Sequence, residues 1–292
     1  MKFSRVLLLI IGGILLSATW QWSSSKKETL KANPQIYADE QETEAKRAAK
    51  KDALQDIVNK AVQKNTTKLH LTVVYPKENL RAGHNDQKPV VAASLYKLFV
   101  AYEVYHQVDD NKLNLNDRLS EVAVGKTINE CLKLMITVSD NDCGKALGLK
   151  VGWAFLDKRL REEGYPATVL NNYDSAGEIN GDKYTSASDV AKLLVRLYNK
   201  ELLSPNSSTA FIDLLKQQKV RDRLPRGLPA GTVMANKNGE LYGYMHDAGV
   251  VYGAKAEYII VLMTGEWANP TAQSLPIFKQ VSQDVWGFLA QP

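Results

Sequence analysis

Segments that read as β-strand stand at the two ends of the chain's globular part, with helical periodicity between them. That separation is what most restricts the fold. On the N-terminal side, Leu69–Tyr75 is rich in Leu and Val and is closed by Pro76, and a second extended segment is expected at residues 87–91. On the C-terminal side, Thr232–Lys237, Ala248–Tyr252 and Tyr258–Thr264 follow one another as three strands, with turn residues at Asn238-Gly239 and Gly253-Ala254. Strands so far apart in sequence can share a sheet only if the helices between them fold as an insertion. The expected fold class is α+β: one antiparallel sheet formed from N- and C-terminal strands, flanked by helices, plus a helical subdomain.

The helices are read from apolar spacing. Leu54, Ile57, Val58 and Val62 give one face to a helix over residues 44–64. Ser94 heads the next, with Leu95, Leu98, Phe99 and Tyr102 on one side. Thr127 and Glu130 form a capping box for a helix ending at Val138. The polar break at residues 139–142 precedes another. Residues 165–184 read as irregular, residues 188–199 and 209–218 as helical, and residues 272–289 as a final amphipathic helix.

The N-terminus carries an address. Lys2 and Arg5 precede an apolar run from Val6 to Leu16, and Ser17, Ala18 and Thr19 follow it. This is the layout of an export signal. The run falls short of the roughly 20 residues of a full span, whereas Trp20 and Trp22 suit a membrane interface. A cleaved signal and a retained anchor both remain open, and either places the rest of the chain outside the cytoplasm. The expected organisation is residues 1–22 as signal or membrane anchor, 23–45 as a polar linker or helical stalk, and 46–292 as the folded domain. Cys131 and Cys143 are read as a disulfide, which an exported chain can keep, or as two buried thiols. The net charge of +5 is spread among acidic residues, so nucleic acid is not an expected partner. A monomer is expected.

Three short polar motifs carry chemistry. In Ser94-Leu95-Tyr96-Lys97, residues three apart share a helix face, so a buried amine can act as base for a hydroxyl. Two other Ser-x-x-Lys matches, at Ser23 and Ser24, lie in the polar linker. In Ser139-Asp140-Asn141, a hydroxyl, a carboxylate and an amide stand in a break between helices, where they can line a cleft or simply cap the next helix. Lys237-Asn238-Gly239 ends a strand. There a lysine can attract a substrate carboxylate and a glycine admits a close backbone, but Asn-Gly is also a plain turn signal.

In this order the three motifs resemble the signature of class A β-lactamases and penicillin-binding proteins. Ile136-Thr137-Val138 before the second motif, and residues 223–232 before the third, are similar to the family's segments there; the resemblance covers residues 45–290. It implies an acyl-enzyme at Ser94, with Lys97 as base. Ser139 would pass a proton to the leaving nitrogen with help from Lys237, and Asn141 would hold a substrate amide. The oxyanion would lie between the backbone N–H groups of Ser94 and Glu240. No cofactor and no metal are implied. The implied partners are a β-lactam or a peptidoglycan stem peptide, and the membrane through the N-terminal segment.

The chain departs from the family pattern in three places. Asn238 replaces Thr or Ser in the third motif. The stretch from Ser94 to Ser139 is short. No glutamate lies between Val169 and Ser175, where the family's deacylating residue is expected; Asp174 and Glu178 are the nearest carboxylates. Three functions follow: a hydrolytic β-lactamase, a penicillin-binding D-Ala peptidase-like protein with slow or absent deacylation, and a catalytically degraded envelope binding module. A phosphate loop at Gly125-Lys126-Thr127 is rejected because Ser120 stands where its first glycine is required. Metal-ligand spacing is absent among His70, His84, His106 and His246.

Overall fold

The computed structural model describes residues 34–171 and 182–291. Met1–Lys50 and Lys51–Pro292 are separate compact units. Of the first, what is described is the start of helix α1 (Pro34–Val62), whose residues 39–49 are exposed. Helix therefore begins within the segment read as a linker or stalk. Among the described residues no helix is long and apolar enough to cross a membrane.

The second unit is built on five antiparallel strands in the order β2-β1-β7-β6-β5. They are β1 (Leu69–Tyr75), β2 (Leu80–His84), β5 (Val233–Leu241), β6 (Tyr244–Tyr252) and β7 (Glu257–Thr264). The sheet's centre joins the two ends of the unit, Leu69 pairing with Thr264 and Val74 with Ile259. A two-stranded ribbon, β3 (Val90–Val91) with β4 (Tyr184–Thr185), lies outside this sheet. The antiparallel sheet from both chain ends is thus as expected.

Strand alternation sends each β7 side chain to one of two cores. Tyr258, Ile260 and Leu262 face Leu54, Val58 and Val62 of α1 and Phe278, Val281 and Val285 of α8 (Pro270–Leu289). Ile259, Val261 and Met263 face the helices between the strands. These are α2 (Tyr96–Asp109), α3 (Ile128–Thr137), α4 (Asn141–Val151), α5 (Trp153–Glu162), α6 (Ala187–Tyr198) and α7 (Pro205–Lys216). Helix α2 is the axis of that subdomain: residues 97–105 are all buried. Each fully buried aliphatic side chain there contributes about 1.5–3 kcal/mol relative to exposure.

Local chemistry sets the helix ends. Thr127 accepts from the Glu130 N–H while the Glu130 carboxylate accepts from the Thr127 N–H, the reciprocal box read from the sequence. Ser186, Ser204 and Asn269 cap α6, α7 and α8. Gly152, at φ 85°, separates α4 from α5.

Two readings need correction. Asn238-Gly239 is not a turn: β5 runs through it to Leu241, and the hairpin reverses at Tyr242-Gly243, with Tyr242 at φ 50°. Strand β6 accordingly starts at Tyr244, not Ala248. Strand β2 was not anticipated, because Arg81, Gly83 and His84 leave it only Leu80 and Ala82 as buried apolar residues.

Candidate active site

Ser94 is the middle residue of a 3-10 turn, Ala93–Leu95, that leads directly into α2. The turn lies against β5 and β6. It is fastened from both sides: Val91 O faces His246 Nε2 at 2.8 Å, and the Ala92 N–H donates to Lys183 O at 2.7 Å. His246 accepts from the Thr264 N–H through Nδ1 at 3.1 Å, which makes Nε2 the protonated nitrogen. Burial holds its pKa down at about 4, so it stays neutral. Ala93 sits at φ 44° and Ser139 at φ 62°. Both are left-handed conformations that cost non-glycine residues energy and persist only where surrounding structure enforces them.

Lys97 lies on the first turn of α2 and is fully buried. Its Nζ donates to Ser139 O at 2.6 Å, Asn141 Oδ1 at 2.8 Å and Ser139 Oγ at 3.3 Å. Burial lowers its pKa to about 8, with Asp140 acting in the opposite direction. Lys237, buried on β5, donates to Ser139 Oγ at 2.9 Å, Asn238 O at 2.7 Å and Asn238 Oδ1 at 3.3 Å. Its pKa is pushed down by burial first and then by repulsion from Lys97. The Ser139 hydroxyl is therefore shared by two buried amines from distant parts of the chain.

Asp140 is a structural residue: its carboxylate caps α4 by accepting from the Cys143 N–H at 2.8 Å. The capping reading of the second motif thus holds for Asp140, while its neighbours Ser139 and Asn141 face Lys97. Cys131 on α3 and Cys143 on α4 are joined as a disulfide, with Cα atoms 4.8 Å apart.

Gly239 admits the nucleophile turn. A Cβ there would lie 3.3 Å from Ser94 N, Ala93 Cβ and His246 Cδ2. Behind the strand, Arg223 is 2% exposed. Its Nη1 donates to Gly239 O at 2.6 Å and His246 O at 2.7 Å, and its Nη2 to Glu240 Oε2 at 2.6 Å. The Gly239 carbonyl and the Glu240 N–H belong to one trans peptide and point in opposite directions. The guanidinium thus fixes the Glu240 N–H from behind.

A cavity of about 370 Å³ opens in front of these groups, lined among others by Ser94, Asn141, Glu240, Lys145, Trp153 and Lys183. Lys183 Nζ stands 4.4 Å from the Trp153 ring centroid. Ser94, Lys97, Ser139, Asn141, Lys237, Asn238, Gly239 and Glu240 are thus brought to one place; Asp174 and Glu178 lie outside the described residues. The sequence gives no site role to Arg223, Trp153, Lys183 or Gly144. Only Gly144 had a usable signal, since it follows Asn141 by one helical turn.

A family model described as the beta-lactamase enzyme family matches residues 49–289. Comparison with curated protein sequences gives no match. Among solved structures, PBP-A superposes with a TM-score of 0.69 at 23% identity, covering 82% of this chain and 95% of that one. A PBP-A variant in acyl-enzyme complex with penicillin G gives 0.72 at 24%, covering 81% and 96%. The β-lactamase from Sphaerobacter thermophilus gives 0.70 at 21%, covering 81% and 95%. These likenesses establish the fold.

Proposed function

The chain belongs to the beta-lactamase enzyme family, and from that premise we propose that it is an exported serine hydrolase that forms an acyl-enzyme at Ser94 and hydrolyses the amide bond of β-lactams. The observation that carries this reading is the Ser139 hydroxyl, 3.3 Å from Lys97 Nζ and 2.9 Å from Lys237 Nζ, beside a cavity that Ser94 lines.

The proposed steps run through these groups. Lys97, whose pKa is about 8, is partly neutral near physiological pH and takes the Ser94 proton as the hydroxyl oxygen attacks the lactam carbonyl. The tetrahedral oxyanion is met by the N–H groups of Ser94 and Glu240. The C–N bond breaks as Ser139 gives its proton to the nitrogen, and Ser139 is reprotonated by a flanking ammonium. Asn141 and the Lys237-Asn238-Gly239 strand orient the substrate. Water then hydrolyses the ester, with Asp174 or Glu178 as the carboxylate that activates it. Residues 1–22 would export the chain and residues 23–45 would space the domain from the membrane.

The test is a chromogenic cephalosporin followed by intact mass. Sustained turnover that vanishes in Ser94→Ala is expected. A lasting stoichiometric adduct at Ser94 would replace hydrolysis with the penicillin-binding, D-Ala peptidase-like reading. Absence of both turnover and adduct would leave only the binding-module reading.

A further inference from the structure

Asn238 and Glu240 are two residues apart on β5 and share one face of an edge strand. That edge is where a carboxylate on the substrate would meet the Lys237-Asn238-Gly239 motif. Two cations on or behind this strand, Lys237 and Arg223, are engaged within the chain. Lys237 donates to Ser139 Oγ, Asn238 O and Asn238 Oδ1. The buried guanidinium of Arg223 places Nη1 on two backbone carbonyls and Nη2 on Glu240 Oε2. Glu240 itself is not buried: its side chain is 54% exposed, and the residue lines the cavity that contains Ser94. An anionic side chain of the protein therefore stands at the exposed rim, held in place by an arginine buried behind the strand.

We propose that Glu240 is a specificity-determining residue whose carboxylate occupies the anion position at the β5 edge, so that the site favours acyl donors that are uncharged there over donors carrying a carboxylate. A carboxylate substrate must either displace the Glu240 side chain or accept a like charge beside it, and both are unfavourable. An ester or an amide at the same place meets neither penalty. This inference rests on acylation of Ser94 as set out above and adds the class of substrate.

The experiment measures the second-order rate of Ser94 acylation, by intact mass and stopped flow, for benzylpenicillin and for its methyl ester. Both are run on the full chain and on Glu240→Gln, which keeps the side-chain length and the backbone N–H. The readout is the acid-to-ester rate ratio, in which effects common to both compounds cancel. The ratio is expected to rise about tenfold or more in Glu240→Gln, as a like-charge contact at a partly exposed site warrants. It is also expected to rise with ionic strength in the unmodified protein but not in the variant. Acylation of both proteins with the same ratio would overturn this inference and leave the acylation reading standing. Labelling by neither compound would remove both.

Discussion

Gly144 leaves the place of its missing Cβ to Lys97: a Cβ there would stand 2.8 Å from Lys97 Cε and 2.8 Å from the Tyr96 hydroxyl. Both obstacles are the far ends of flexible side chains, so Gly144→Ala should be absorbed by their movement and not by the backbone. Helix α4 itself gains, since alanine is favoured over glycine within a helix by about 1 kcal/mol. The substitution is therefore expected to leave thermal stability within about 1 kcal/mol of the parent while displacing the Lys97 amine. Acylation should fall about 10- to 100-fold, the scale of effect that a misplacement of about 1 Å produces. Denaturation and acylation measured on the same preparation check this, and loss of both together would contradict it.

Burial takes the Lys97 amine down to about 8 from its ordinary value of 10.5. If the neutral amine is the base, acylation of Ser94 by a fixed β-lactam should rise about tenfold per pH unit below that value and level off above it. The linkage to stability has its own sign. The folded pKa lies below the unfolded one, so between about pH 8 and 10.5 the unfolded chain binds more protons, and this residue's contribution to stability improves as pH rises through that window. A stopped-flow profile from pH 6 to 9 decides the kinetic part, and a flat line across it would remove Lys97 from the role of base.

Asp157 on α5 is buried, and its two oxygens accept from the Leu170 N–H at 2.7 Å and the Asn171 N–H at 3.1 Å. It ties down the chain immediately before residue 172. Asp157→Asn keeps the shape but turns an amide N–H toward one of these donors. Leaving a buried backbone N–H without an acceptor costs about 1–3 kcal/mol, which for a domain of this size lowers Tm by roughly 2–4 °C per kcal/mol. Calorimetry of the variant tests it, and an unchanged Tm would mean that those N–H groups find other acceptors.

What the sequence disclosed about the site was its short polar motifs. Ser94 and Lys97 are one helical turn apart, and Ser139, Asn141 and Lys237 each sit in a run with a chemical purpose that local spacing exposes. Their convergence required the sheet topology, which the strand-like runs at the two ends also supplied. Arg223 was illegible for a physical reason: nothing in a stretch of Arg, Leu, Pro and Gly says that a guanidinium will be buried against backbone carbonyls sixteen and twenty-three residues later. The Asn238-Gly239 pair misled for a related reason. Its local preference is for a turn, whereas the glycine is needed for its closeness to Ser94, a contact made across more than a hundred residues.

His246 and Asp247 are adjacent, fully buried on β6, and titrate in opposite senses. Burial holds His246 at about 4, below its ordinary 6.5, and raises Asp247 to about 6 from 3.8. For His246 the unfolded chain binds more protons between about pH 4 and 6.5, so its contribution to stability improves as pH rises. For Asp247 the folded chain binds more between about pH 4 and 6, so its contribution is present at low pH and is lost as pH rises through 6. The two slopes offset each other across nearly the same range. Asp247→Asn removes one of them. It also presents an amide to the Leu224, Ala248 and Asn236 donors that the carboxylate now satisfies, so the variant should be less stable throughout. Its deficit relative to the parent is expected to shrink from pH 4.5 to pH 6.5 by on the order of 2 kcal/mol, because only the parent loses the Asp247 contribution on the way. Urea denaturation of both proteins at the two pH values measures that difference, and a deficit that stays constant or grows with pH would show that Asp247 is ionised throughout.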